Sequence, residues 1–167
     1  VKAAVIADAG LFARIEATTF DALRSDTDLL TDAVSASIRV KADIVERDER
    51  ESGDRRKLNL GHTLAHAIEK CTNRLNHGEA VAVGMALIAD ASVKLGVLAA
   101  EDRDRIAGVL KKLGFDLTPP VDVKRLLKEV DKDKKNEDGM LRVVVPVGIG
   151  DCDVRRMSHD EFAALFA

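Results

Sequence analysis

Apolar residues recur every three or four positions through most of the chain, which is the spacing of amphipathic helices. After a break near residues 8–10, a first series runs through residues 11–23, and a longer one lies within residues 26–51. An aspartate-rich start and Arg47 near the end of the longer series fit the direction of a helix dipole. The apolar positions of the two series are Leu11, Ile15, Phe20 and Leu23, then Leu30, Val34, Ile38, Ala42 and Val45.

The middle of the chain predicts four further helices, at residues 62–72, 78–96, 101–113 and 123–130. Gly96 and Gly114 stand where left-handed residues commonly end helices. Pro119 and Pro120 stop any helix between the last two segments. Residues 51–57 predict a loop with a turn at Gly53.

Near its end the chain becomes rich in valine between glycines, which predicts one strand or a hairpin near residues 140–155. Ser158 with Glu161 three positions later is a capping-box pattern that opens a final helix. The pattern therefore predicts a mainly α, multi-helix fold with a small β addition. We expect residues 1–167 to form a single domain.

Composition narrows the function classes. Net charge is −3, so the chain has no basic field and we expect no nucleic-acid partner. Its apolar runs are much shorter than a membrane span, and we expect no membrane partner. Cys71 and Cys152 are far apart and are expected to be free thiols, as in a reducing, cytoplasmic compartment. The first residue, Val1, has no initiator Met or helix cap before it, so we expect a domain cut from a longer enzyme.

Three of the four histidines fall within residues 62–77. His62 and His66 are four apart, so on a helix they share one face, and that spacing permits two zinc ligands. The same spacing also occurs in core and surface histidines. His77 stands beside Gly78 at the start of the next predicted helix and could complete a site that faces the preceding helix. The residues alone leave open whether all three histidines bind metal or only two.

An unusual density of cations surrounds the histidines. Arg55 and Asn59 lead into a Gly-His helix start, where backbone N–H groups and guanidinium groups can hold a phosphate or carboxylate. The other cations are Lys41, Arg56 and Lys57, which precede the histidines, and Lys134 and Lys135, which come later in the chain. A metal beside a cationic rim favours a small anionic substrate with an alcohol or carbonyl at the metal.

These motifs together closely resemble the C-terminal, helical domain of the 3-dehydroquinate synthase family. The matching positions are Arg55, Asn59, Gly61, His62, Thr63, His66, Ala67 and Glu69, then His77, Gly78, Glu79, Ala80, Val81, Ala82, Gly84 and Met85, then Asp133, Lys134 and Lys135. The resemblance runs from Lys2 to about Ile149, and it implies that the family's N-terminal NAD-binding α/β domain is absent from this chain.

The resemblance implies a role for each matching residue. His62 and His77 are expected to bind Zn²⁺ or Co²⁺, and His66 to contact substrate. The third metal ligand would be a glutamate two residues before Val1, outside the chain. The expected substrate-binding residues are Lys2, Lys41, Arg55, Asn59, His66, Lys134 and Lys135. Ala65 stands where the family usually has glycine, and its methyl group lies near an expected close helix contact.

The family converts 3-deoxy-D-arabino-heptulosonate 7-phosphate into 3-dehydroquinate and phosphate, a carbon–oxygen lyase step of the shikimate route to chorismate and the aromatic amino acids. The resemblance implies NAD⁺, bound in the missing domain, and a homodimeric full-length enzyme; the isolated chain is expected to be inactive. Three alternatives stay open. They are a sugar-phosphate cyclase making inosose or valiolone skeletons, a metal-dependent alcohol or glycerol dehydrogenase, and a non-enzymatic helical module with structural histidines. The cationic rim argues against the dehydrogenases, which handle neutral polyols.

Overall fold

The computed structural model describes residues 1–49, 53–132 and 139–167, and within them helices surround one antiparallel hairpin. The elements are α1 (Lys2–Ala7), α2 (Ala9–Glu16), α3 (Phe20–Ser25), α4 (Thr27–Arg47), a 3₁₀ helix (Asp54–Asn59), α5 (His62–Cys71), α6 (His77–Lys94), α7 (Ala100–Lys112), α8 (Val123–Asp131), β1 (Met140–Gly148), β2 (Asp151–Ser158) and α9 (His159–Ala164). The predicted mainly α fold with a small β addition is confirmed.

Local capping signals decide where several helices begin. Asp8 separates α1 from α2, and its carboxylate accepts the Leu11 N–H at 2.7 Å. The capping box predicted at Ser158 is present at the start of α9. A second capping box opens α6, where the side chain of Asn76 accepts the Glu79 N–H and Glu79 accepts the Asn76 N–H. The box fixes His77 as the first residue of α6.

The prediction of a simple loop at residues 51–57 is wrong at its C-terminal end, because a 3₁₀ helix occupies Asp54–Asn59. A buried carboxylate holds the start of this helix. Oδ2 of Asp48 accepts the Gly53 N–H at 2.7 Å and the Arg55 N–H at 3.0 Å. These bonds satisfy backbone donors at the start of a helix, which the sequence pattern does not reveal.

The core is built around α6, which is buried on most of its surface. Helix α5 approaches α6 through two glycines. A Cβ on Gly84 would overlap the carbonyl oxygen of Gly61, and Gly61 itself has a φ of +79°. Ala65 lies at the same junction and is fully buried, so the methyl group that replaces the family's usual glycine is accommodated inside the core.

The hairpin predicted near residues 140–155 is confirmed and extends to Ser158. In its register Arg142 lies opposite Arg156, and Val144 lies opposite Val154. The turn between the strands is attached to α1, because the Gly150 N–H donates to the Val5 carbonyl at 3.0 Å. Cys71 and Cys152 are both free thiols, as predicted.

The long helix predicted within residues 26–51 is confirmed as α4, but its apolar stripe does not face the core. Leu30, Val34 and Ile38 are 45–60% exposed. The side chains that α4 buries are Ala36, Val40 and Ile44. Among the helices described, none combines the length and the apolar character needed to cross a membrane.

Candidate metal and anion site

The structure brings the three neighbouring histidines together. His62 is the first residue of α5, His66 follows one turn later, and His77 is the first residue of α6. The ring centroid of His62 lies 5.7 Å from that of His66 and 5.3 Å from that of His77. The ring centroids of His66 and His77 are 6.5 Å apart. Within residues 1–49, 53–132 and 139–167, no group of three His, Cys, Asp or Glu side chains has the arrangement of a metal site. A catalytic metal here would need a ligand that these residues do not supply.

Two of the histidines have Nδ1 within hydrogen-bond distance of an oxygen acceptor. Nδ1 of His62 lies 3.1 Å from the Leu60 carbonyl oxygen, and Nδ1 of His77 lies 2.9 Å from Oε1 of Glu69. An acceptor at Nδ1 holds the ring proton there and leaves the Nε2 lone pair for a metal. In the described part of the chain His66 makes no such bond. The donor chemistry of His62 and His77 therefore fits a zinc or cobalt ion.

The surroundings of His62 also favour its neutral, metal-binding form. Burial lowers the pKa of His62, and the charges of Lys2, His66 and His77 lower it further, although the hydrogen bond to Leu60 opposes them. Lys2 reaches this region from α1 and donates to the Leu58 carbonyl oxygen at 2.7 Å. Burial and the charge of Lys41 lower the pKa of Lys2. The fold thus brings Lys2 near His62, and Lys41 near Lys2, despite their distances in sequence.

A cavity of about 240 Å³ adjoins two of the histidines. Its lining is Arg56, Asn59, His62, Thr63, His66, Arg142 and Val144. Among these residues the only fully ionised side chains are the two arginines, so the cavity suits an anion. A second cavity, of about 290 Å³, also contains His66 and Arg142 in its wall.

Some sequence-predicted residues do not line this cavity, and others lie outside the described residues. The Arg55 guanidinium donates to the Glu49 carbonyl oxygen at 2.8 Å, whereas its neighbour Arg56 lines the cavity. Lys134 and Lys135 lie outside the described residues. Sequence reasoning missed Arg142, which reaches the site from β1, a distant part of the chain. Its only sequence signal is a single cation within a valine-rich strand.

The comparison with family models decides the relationship. The model described as "3-dehydroquinate synthase C-terminal" matches residues 1–136. The chain belongs to the 3-dehydroquinate synthase C-terminal family. A 3-dehydroquinate synthase from Ruegeria sp. (strain TM1040) is 42% identical over 161 residues, which cover 90% of this chain and 43% of that protein. One from Pelobacter propionicus is 38% identical over 168 residues, covering 99% of this chain and 47% of that protein. The chain therefore spans less than half the length of these family members.

Solved structures of low sequence identity share the fold of this chain. The 2-epi-5-epi-valiolone synthase ValA from Streptomyces hygroscopicus subsp. jinggangensis 5008, solved with NAD⁺ and Zn²⁺ bound, superposes with a TM-score of 0.83 at 23% identity. The match covers 99% of this chain and 47% of the ValA chain. A 2-deoxy-scyllo-inosose synthase complexed with carbaglucose-6-phosphate, NAD⁺ and Co²⁺ gives a TM-score of 0.75 at 19% identity, over 99% of this chain and 52% of its own.

Proposed function

We propose that this chain is the metal- and substrate-binding part of a 3-dehydroquinate synthase. The complete enzyme converts 3-deoxy-D-arabino-heptulosonate 7-phosphate into 3-dehydroquinate and phosphate, with NAD⁺ bound in an N-terminal part that this chain does not include. One observation carries the proposal. His62 and His77, each with Nδ1 engaged by an oxygen, lie beside a cavity whose charged lining is cationic.

His62 and His77 would hold Zn²⁺ or Co²⁺ through Nε2, together with a glutamate two residues before Val1. When bound, the metal supplies a Lewis acid that makes a substrate hydroxyl more acidic, and NAD⁺ supplies a hydride acceptor. His66, which shares the cavity with His62, contacts the substrate rather than the metal. Glu69 keeps the His77 proton on Nδ1 and so fixes the orientation of the ring.

The remaining residues of the proposed site hold the two anionic ends of the substrate. Lys2, Lys41, Arg55 and Asn59 bind and orient it, together with Lys134 or Lys135. Fixed cations around the substrate stabilise charge that moves while phosphate leaves, and they keep the reacting groups aligned. The complete enzyme acts as a homodimer in the cytoplasm.

A second candidate is another sugar-phosphate cyclase, because the fold superposes well on valiolone and inosose synthases. The first candidate is favoured by the higher identity to 3-dehydroquinate synthases, 42% against 23% and 19%. The cationic cavity also disfavours an alcohol or glycerol dehydrogenase, whose neutral substrates do not need it. A non-enzymatic module would leave the orientation of the two histidines without a purpose.

A chimaera tests this function. The chain is joined to the N-terminal part of the Ruegeria sp. synthase and supplied with NAD⁺ and Zn²⁺. We expect release of phosphate and formation of 3-dehydroquinate from 3-deoxy-D-arabino-heptulosonate 7-phosphate. We expect no turnover of glucose 6-phosphate or of a heptulose 7-phosphate without a carboxylate. Preference for either of these sugars would favour the second candidate, and turnover by the isolated chain would contradict the division of the site between two parts.

A further inference from the structure

Strand β1 brings Arg142 to the wall of the cavity that contains His62 and His66. Residues two apart on a strand face the same side, so Arg142 and Val144 belong to one face of the hairpin. Both residues line this cavity, so that face of the hairpin forms part of its wall. Arg142 also lines the second cavity beside His66, so it stands between the two spaces.

The charge arrangement at this face favours an anion. Arg142 lies directly opposite Arg156 in the antiparallel register. Arg56 is a second cation in the lining of the cavity that contains Arg142.

The first turn of α5 also favours an anion in this cavity. Gly61 caps α5 without any side-chain hydrogen bond to the first turn, and Thr63 of that turn lines the cavity. A helix N-terminus of this kind attracts negatively charged groups through its N–H dipoles. The lining of the cavity therefore includes both the first turn of α5 and Arg142.

We propose that Arg142 binds an anionic oxygen group of the substrate, its phosphate or its carboxylate, from the hairpin side of the site. This inference rests on the proposed function. A guanidinium suits either group because it donates two parallel hydrogen bonds to a pair of oxygens. Arg142 would hold one end of the substrate while His62 and His77 hold the metal at its middle.

The test measures ligand binding by isothermal titration calorimetry, without NAD⁺, to the chimaera with the Ruegeria sp. N-terminal part, which supplies the rest of the proposed site. The ligands are 3-deoxy-D-arabino-heptulosonate 7-phosphate and the same sugar acid without its phosphate. We expect Arg142→Ala to raise the Kd of the phosphorylated ligand roughly 10- to 100-fold, the range for a lost charged hydrogen bond. Arg142→Lys should recover part of the affinity, because it keeps the charge but loses the two-pronged geometry.

Arg155→Ala is the matched control. Arg155 neighbours Arg156 on β2, so it lies on the other face of the hairpin, and it pairs with Asp153 at 3.2 Å. We expect the Arg155→Ala variant to bind both ligands with the affinity of the wild type. If Arg142→Ala raises the Kd of the phosphorylated ligand but not that of the dephosphorylated one, Arg142 binds the phosphate. If it raises both Kd values, Arg142 binds the carboxylate.

Zinc affinity, measured separately by competition with a chromophoric chelator, distinguishes the two proposals. An Arg142→Ala chain that binds zinc and both ligands like the wild type would overturn the role of Arg142 and leave the proposed function standing. Binding of zinc without either ligand by the wild type would also overturn it. A wild-type chimaera with the Ruegeria sp. N-terminal part that binds neither zinc nor ligand would contradict the proposed function itself.

Discussion

Glu69 and His77 form a contact between consecutive helices, with Oε1 of Glu69 2.9 Å from Nδ1 of His77. Glu69 lies in the last turns of α5, and His77 is the first residue of α6. The contact fixes both the tautomer and the orientation of a histidine that we propose as a metal ligand. Glu69 is therefore expected to matter for metal binding without touching the metal.

Glu69→Ala is expected to weaken zinc binding roughly 10- to 100-fold, the usual effect of losing a partner that orients a metal-binding histidine. Glu69→Gln is the matched control, because its amide oxygen can still accept the Nδ1 proton, and it should lose less affinity. Competition with a chromophoric chelator measures both values. Unchanged zinc affinity in Glu69→Ala would show that His77 is oriented by other contacts.

The closeness of Gly61 and Gly84 predicts a large stability effect. Gly84→Ala places a Cβ against the Gly61 carbonyl oxygen, and the two helices must separate to accept it. We expect a loss of about 1–3 kcal/mol in the free energy of unfolding, as for other overpacked cores. Urea denaturation followed by circular dichroism measures it.

Gly108→Ala is the control for that substitution. Gly108 lies in α7, and a Cβ there would meet nothing within 4 Å. We expect it to raise the free energy of unfolding by about 0.5–1 kcal/mol, because alanine has less conformational entropy to lose than glycine. A similar gain of stability at both positions would mean that helical propensity, rather than the contact with Gly61, decides the result.

Helix positions could be predicted from the sequence because their signals are local. The spacing of apolar residues, the cap at Ser158 and the glycines after α6 and α7 each depend on a few neighbouring residues. The stripe of Leu30, Val34 and Ile38 shows the limit. Periodicity predicts the helix, but which face meets the core depends on where α4 packs, and here that face bears Ala36, Val40 and Ile44.

The candidate site likewise combines residues that a local sequence motif predicts with one that only the fold brings there. The motif around His62, His66 and His77 is compact in sequence, and the structure brings the three rings together. Arg142 belongs to a strand that the motif does not include, so only the packing of the hairpin reveals it. Arg56, rather than Arg55, lines this cavity, and the backbone N–H of Arg55 donates to the buried carboxylate of Asp48. The sequence pattern does not reveal that hydrogen bond.

The two thiols are expected to differ in reactivity. Burial, with a contribution from the charge of Asp151, raises the pKa of Cys152 to about 12, so at pH 8 only about one molecule in ten thousand carries the thiolate. Cys71 is only half-buried. We expect iodoacetamide at pH 8 to label Cys71 first, as read by peptide mass spectrometry, and to label Cys152 only after denaturation. Equal rates in the folded chain would contradict the burial of Cys152.

His62 and His66 are expected to separate metal binding from substrate binding. In the chimaera with the Ruegeria sp. N-terminal part, His62→Ala should abolish both zinc content and turnover, because it removes an oriented ligand. His66→Ala should keep most of the zinc, since no hydrogen bond in the described residues orients that ring, and it should lower turnover through weaker substrate contact. Metal analysis together with the steady-state rate of phosphate release measures both effects. Equal zinc loss from the two substitutions would mean that His66 is a ligand and that the metal is held by three histidines.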